Sequence, residues 1–195
     1  MPFVSQGLKI SVLGFKSHLW AVRNSSTLLF SALITRIFGV NRSHDEAGKK
    51  NRLTGKTFFS NYKDMYFFLH DELKQCVHSF NQSNTRNIST EPTMYPILLI
   101  LGRLYPAAGE SDPRLASFIP LLHKCACSPV WKTRILAAKA LVPLISVENV
   151  TATLQTLFYS IPSCEEINFS HNMIHGLLLQ ERFGTQIAVV DFITF

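Results

Sequence analysis

His171 and His175 stand four residues apart, the spacing that places two imidazoles on one helix face as in the zinc pattern His-Glu-x-x-His. Asn172 occupies the position where that chemistry needs a general-base glutamate, and no third ligand is evident, so the pair reads as a partly buried helix face. Gly55-Lys56-Thr57 resembles the end of a phosphate-binding loop, but the first glycine of that motif falls on Lys50 and no strand leads into it. Cys125 and Cys127 are spaced C-x-C with no second pair, which argues against metal or redox use. Asn24, Asn41, Asn81, Asn87, Asn149 and Asn168 head glycosylation sequons, which carry meaning only on a secretory route. No glycine-rich cofactor loop and no Ser/His/Asp arrangement can be defended, so the chain does not read as an enzyme. The remaining candidate is electrostatic. Arg42, Lys49, Lys50, Arg52 and Lys56 crowd together, with Arg36 just ahead of them, opposed only by Asp45 and Glu46. Cations at phosphate spacing give salt-sensitive, sequence-independent RNA affinity. Phe58, Phe59 and Tyr62 follow directly and could either stack bases or begin the core of the next helix.

Composition bounds the classes available. The chain has 195 residues, 47% of them hydrophobic and 16% charged, so most of it can bury a core rather than stay disordered. A formal charge of +6 permits an anionic partner without demanding one. Four cysteines are too few for a disulfide scaffold. Met1 to Leu19 lacks the order of a secretory signal, and the longest apolar stretch, Leu28 to Val40, is broken by Arg36 and short for a membrane span. A soluble, cytoplasmic protein without a membrane partner is the expectation.

The elements that must position these residues are helices. Apolar residues recur at three- and four-residue steps over Trp20 to Phe38, with Val22, Leu29, Ala32, Leu33 and Ile37 on the expected face and Gly39 as the C-cap. The same periodicity predicts helices over Phe58 to Phe80, Thr93 to Tyr105, Leu115 to Cys125, Trp131 to Ile145, Val150 to Ile161 and Phe169 to Gln180. No stretch before residue 186 alternates like a strand. Residues 41–57 and 81–92 are polar and break the pattern, as protruding loops do.

Internal repetition is the most informative signal. Ser17-His18-Leu19-Trp20-Ala21-Val22-Arg23 and Ser128-Pro129-Val130-Trp131-Lys132-Thr133-Arg134 both read Ser-x-x-Trp-x-x-Arg, at an offset of 111 residues. That offset is three periods of 37, near the roughly 40-residue period of HEAT and armadillo units. Leu115 to Ile145 makes one unit of helix, turn and helix. Trp20 and Trp131 are expected to anchor their turns against the core. Arg23 and Arg134 are expected to pair with a carboxylate or carbonyl of a neighbouring unit. The fold expected is all-α, an α-solenoid of HEAT/armadillo-like helix pairs over residues 1–180, with a divergent tail over 181–195.

Five strings carry a family resemblance: WAVRNSSTLLFSALITRIF from Trp20, KNRLTGKTFF from Lys50, ILLILGRLYP from Ile97, SPVWKTRILAAKALVP from Ser128 and HNMIHGLLLQ from His171. In order and spacing they resemble the thyroid adenoma-associated protein family of very large HEAT/armadillo-type proteins, over roughly residues 2 to 180. The resemblance implies a non-catalytic partner of a tRNA 2′-O-methyltransferase that modifies nucleotide 32 of the anticodon loop. S-adenosylmethionine would then bind the methyltransferase, and this chain would hold enzyme and tRNA together, leaving it no cofactor of its own. The resemblance implies that the chain covers about a tenth of a family member; an Arg-Arg-Ser-Ala-Gly-like motif associated with the family is absent, and the match stops at Glu181. That pattern is the one expected of a fragment or short isoform whose tail comes from an alternative exon or a gene-model error. The RNA-facing candidates are Arg36, Arg42, Lys49, Lys50, Arg52 and Lys56. Two other readings stay open: a protein-interaction scaffold without RNA contact, and an inactive truncated product.

Overall fold

The structure is a computed structural model that describes residues 2–39, 53–82, 92–106, 112–161 and 170–193. Among these residues every regular element is helical, apart from one isolated bridge between Thr54 and Tyr105. The chain divides into two compact units, Met1–Tyr105 and Pro106–Phe195. The all-α, helix-pair architecture is the one the periodicity predicts.

The first unit holds α1 (Pro2–Gly14), α2 (Trp20–Phe38), α3 (Gly55–Asn61), α4 (Met65–Gln82) and α5 (Met94–Leu101). α1 and α2 form a helical hairpin that buries Leu8 and Val12 from one side and Phe30 from the other. Lys16, just past the end of α1, binds Glu72 of α4 at 2.8 Å, and Lys9 lies over the Phe68 ring. Phe58, Phe59, Met65, Leu69, Leu73, Met94, Ile97 and Leu98 fill the interior.

The second unit holds α6 (Pro113–Ala116), α7 (Ile119–Ala126), α8 (Trp131–Leu141), α9 (Val150–Tyr159) and α10 (His171–Ile193), with a 3-10 turn at Val142–Leu144. Asp112 caps α6 through the Arg114 amide at 3.0 Å, and the Arg114 guanidinium returns to the same carboxylate at 2.7 Å. α10 packs on α7, α8 and α9. Gly176 permits this, because a Cβ there would lie 1.9 Å from the carbonyl oxygen of Ala126. One turn further along, Gln180 is fully buried, its Oε1 2.8 Å from His123 Nδ1.

Several boundaries differ from the periodic reading, each for a local reason. The helix expected over Phe58–Phe80 is broken at Tyr62, whose backbone leaves the helical region (φ −126°, ψ 65°) while its ring packs on Phe58. Leu115–Cys125 splits because Pro120 lacks an N–H for the carbonyl four residues back. Pro143 likewise ends α8 in a 3-10 turn. The helix expected to reach Tyr105 stops at Leu101, and Tyr105 is drawn into the bridge with Thr54. α3 begins at Gly55, inside the expected loop over 41–57, because the Thr54 hydroxyl accepts from the Thr57 amide and caps it. α10 runs without a break across Gln180 and Glu181. In α2 the buried positions are Ser26, Phe30 and Phe38, whereas Val22 and Leu29 are each 40% exposed and Ala32 is exposed too.

The repeated Ser-x-x-Trp-x-x-Arg motif folds twice into the same turn. The Ser17 hydroxyl accepts from the Leu19 amide at 3.2 Å, and the Ser128 hydroxyl accepts from the Val130 amide at 3.2 Å. Arg23 Nη1 donates back to the carbonyls of Ser17 and His18 at 2.8 and 2.9 Å. Arg134 Nη1 does the same to Ser128 and Pro129 at 2.7 and 3.0 Å. The arginine therefore clasps its own turn, a role the sequence assigned to a neighbouring unit. Arg134 adds a second set of bonds, to Asn172 Oδ1 at 2.9 Å and His175 Nδ1 at 3.0 Å, both on α10. The tryptophans do not anchor the core as expected. Trp20 is 70% and Trp131 60% exposed, and the arginine three residues on holds the turn without them.

Arg134 is 7% exposed and satisfies acceptors on two elements, while Arg23 holds only its turn. Arg134→Ala is expected to lower unfolding free energy by about 3 kcal/mol, and Arg23→Ala by under about 1 kcal/mol, in urea titrations of the chain. Equal losses would contradict the second role of Arg134.

Candidate nucleic-acid interface

The basic segment enters and leaves on one short stretch of chain. α2 ends at Phe38, and Gly39 turns the backbone with φ 76°, a left-handed value that favours glycine, while its amide donates to the Thr35 carbonyl at 2.9 Å. The Gly39 carbonyl then accepts from Arg103 Nη2 at 2.8 Å. The same guanidinium lies 5.9 Å from the centroid of the Phe38 ring, and Phe38 stacks on Phe58 at 5.8 Å. On the far side, the Leu53 carbonyl accepts from the Tyr105 amide at 2.9 Å, next to the Thr54–Tyr105 bridge. Residues 39 and 53 are thus both fastened to Arg103–Tyr105, and together they form a stem.

Of the six RNA-facing candidates, two lie among the described residues. Arg36, on the last turn of α2, is exposed and makes no hydrogen bond or ion pair among the described residues. Lys56 is exposed on the first turn of α3, two residues from the bridge. Arg42, Lys49, Lys50 and Arg52 lie between residues 39 and 53 in sequence and outside the described residues. Phe58 and Phe59 are fully buried and belong to the core, which removes them as base-stacking groups; Tyr62 is half-buried against Phe58. Arg103 is the site residue that sequence reasoning missed. Its partner is a carbonyl 64 positions away, and no local pattern announces such a bond.

The other chemical candidates resolve into structure. His175 Nδ1 accepts from Arg134 and so serves the α8–α10 packing. Among the described residues no group of three or more His, Cys, Asp or Glu side chains could hold a metal ion. Partial burial raises the Cys127 thiol above its ordinary value, which keeps it protonated and poorly nucleophilic. No helix among the described residues is long and apolar enough to cross a membrane.

Helix pairs joined by repeated clasped turns define a helical-repeat protein, here one in which Gly39 and Leu53, at the two ends of a basic stretch of sequence, are both fastened to Arg103–Tyr105. The family model for the C-terminal TPR repeats of Trm732 matches residues 23–183, and the chain belongs to that family. TPR units, like the HEAT and armadillo units expected from the period, are built from stacked helix pairs. The chain is 46% identical over 183 residues to the tRNA (32-2′-O)-methyltransferase regulator THADA of Canis lupus familiaris, covering 92% of this chain and 9% of that protein. The alignment with the Mus musculus relative of the same name spans 194 residues at 45% identity, 98% of this chain and 10% of the relative. The tRNA (32-2′-O)-methyltransferase regulator trm732 of Schizosaccharomyces pombe is 30% identical over 188 residues, 93% of this chain and 12% of that protein. The chain therefore spans about a tenth of the length of these relatives. No solved structure matches.

Arg103→Ala removes the bond to Gly39 and the packing against Phe38. Unfolding free energy is expected to fall by about 1.5 kcal/mol, against less than about 0.5 kcal/mol for the unbonded Arg36→Ala. Hydrogen exchange at the Gly39 amide should quicken only in the first variant; indistinguishable exchange in the two would contradict the stem.

Proposed function

We propose that this chain forms part of a non-catalytic regulatory scaffold that supports 2′-O-ribose methylation at nucleotide 32 of tRNA. The scaffold positions tRNA and a partner methyltransferase, and S-adenosylmethionine binds the methyltransferase. The relatives are named as regulators of a tRNA (32-2′-O)-methyltransferase, which supports the activity. The observation that carries the tRNA interaction is the stem. Two chain ends pinned to Arg103–Tyr105 shorten the reach of the segment whose sequence carries Arg42, Lys49, Lys50 and Arg52, and Arg36 and Lys56 are exposed on the helices that flank it. Shortening the reach of a basic segment lowers the entropy lost when tRNA binds it. Orientation of the ribose hydroxyl toward the methyl donor is then the scaffold's contribution to rate. The setting proposed is cytoplasmic.

The test uses the full-length protein that contains these repeats. Lys49→Glu, Lys50→Glu and Arg52→Glu together should weaken tRNA binding and reduce the slope of log K against log salt by about 3, one for each phosphate left without its cation. An unchanged slope would remove the segment from the RNA interface and leave a scaffold that binds protein alone.

A further inference from the structure

Two histidines fasten α10 to its neighbours, and they are held in opposite hydrogen-bonding roles. His175, near the start of α10, accepts at Nδ1 from Arg134 Nε at 3.0 Å. A guanidinium only donates, so this imidazole keeps a bare lone pair on Nδ1 and carries its proton on Nε2. His123, on α7, has the reverse role. Gln180 Nε2 donates to the Leu122 carbonyl at 3.4 Å, which leaves Oε1 to accept from His123 Nδ1 at 2.8 Å. A donating Nδ1–H is present in neutral and protonated imidazole alike. The charge around His175 is one-sided. α10 packs on α7, α8, α9 and the Val142–Leu144 turn. Their titratable and charged side chains are His123, Lys124 and Cys125 on α7, with Cys127 at its end, Lys132, Arg134 and Lys139 on α8, and Tyr159 on α9; the turn has none. None of these elements contains an aspartate or glutamate. On α10 itself His171 lies one turn before His175, Glu181 and Arg182 nearly two turns after it, and Asp191 near the far end.

We propose that the contact between α8 and α10 is a proton-sensitive latch, with His175 as the group that releases it. A proton added at Nδ1 removes the acceptor and sets an N–H against the Arg134 Nε–H, so a 3.0 Å bond becomes a pair of facing cations. The partners of α10 supply no carboxylate to offset that second charge. The sign follows directly: the bond is complete while the imidazole is neutral, and it is lost as pH falls through the ordinary imidazole range near about 6.5. The opening is local. Arg134 keeps the carbonyls of Ser128 and Pro129, so its own turn stays closed. The bond from His123 to Gln180 survives protonation and keeps the following turns of α10 on α7. The other copy of the clasped turn has no such response built in, because both acceptors of Arg23, on Ser17 and His18, are backbone carbonyls, which do not titrate.

Hydrogen exchange of the full-length protein that contains these repeats, read by mass spectrometry from about pH 7.5 to 5.5 and corrected for the intrinsic exchange rate, tests the latch. Protection of peptides that cover the first turns of α10 should fall on acidification, by up to about tenfold per pH unit, the limit for one proton taken up on opening. Peptides from α2 should keep their protection. His175→Asn places an amide oxygen where Nδ1 stands, accepts from Arg134 and cannot take a proton, so it should hold α10 at every pH in this range. His123→Asn keeps a donor to Gln180 and should respond to acid as the wild type does. The wild-type profile decides the matter even where a variant fails to fold: flat protection in α10, or an equal fall in α2, would overturn the proposal. An acid response that persists in His175→Asn, or that disappears in His123→Asn alone, would overturn it as well.

Discussion

An arginine in the first turn of a helix can reach back to carbonyls that the preceding turn leaves without partners. Two such guanidiniums, Arg23 and Arg134, organise the two units of this chain. Each closes a helical hairpin by satisfying two carbonyls at once, and a serine hydroxyl satisfies an amide of the same turn. A charged donor that binds neutral acceptors keeps its full charge, so a buried arginine of this kind needs several of them. Arg134 finds four, and the last two come from α10. The helix arrangement of the second unit follows from that requirement. Gly176 and Gln180 then let α10 settle against α7.

The repeat was legible because it is written in unusual residues at fixed spacing. The helices were legible from their period, and α2 was read with the bounds it has, Trp20–Phe38. The faces were less so. A tryptophan is ordinarily read as core, yet Trp20 and Trp131 stand in solvent, because the arginine and serine hold the turn without them. Leu29 and Val22 carry a core-like period on a helix with two apolar sides, and periodicity cannot say which side a hairpin partner covers. Breaks at Tyr62 and Pro120 depend on ring packing and a missing amide, which a window average smooths away.

The candidate interface was legible as charge and illegible as geometry. Arg42, Lys49, Lys50, Arg52 and Lys56 are conspicuous in the sequence. The anchor that residues 39 and 53 share depends on Arg103 and Tyr105, far along the chain. Local packing supplies the rest: Phe38 and Phe58 form a stacked pair beneath the stem, so the aromatics that sequence alone could assign to RNA support it from below. The fastened ends at residues 39 and 53 and the exposed face of α2 at Val22 and Leu29 are separate features of the first unit.

The most direct measurement is a cross-linking map of full-length protein bound to tRNA, with cross-linked peptides identified by mass spectrometry. The account predicts cross-links concentrated between Arg36 and Lys56, with none at the buried Phe58 or Phe59. Cross-links that avoid the Arg36–Lys56 stretch altogether would contradict it.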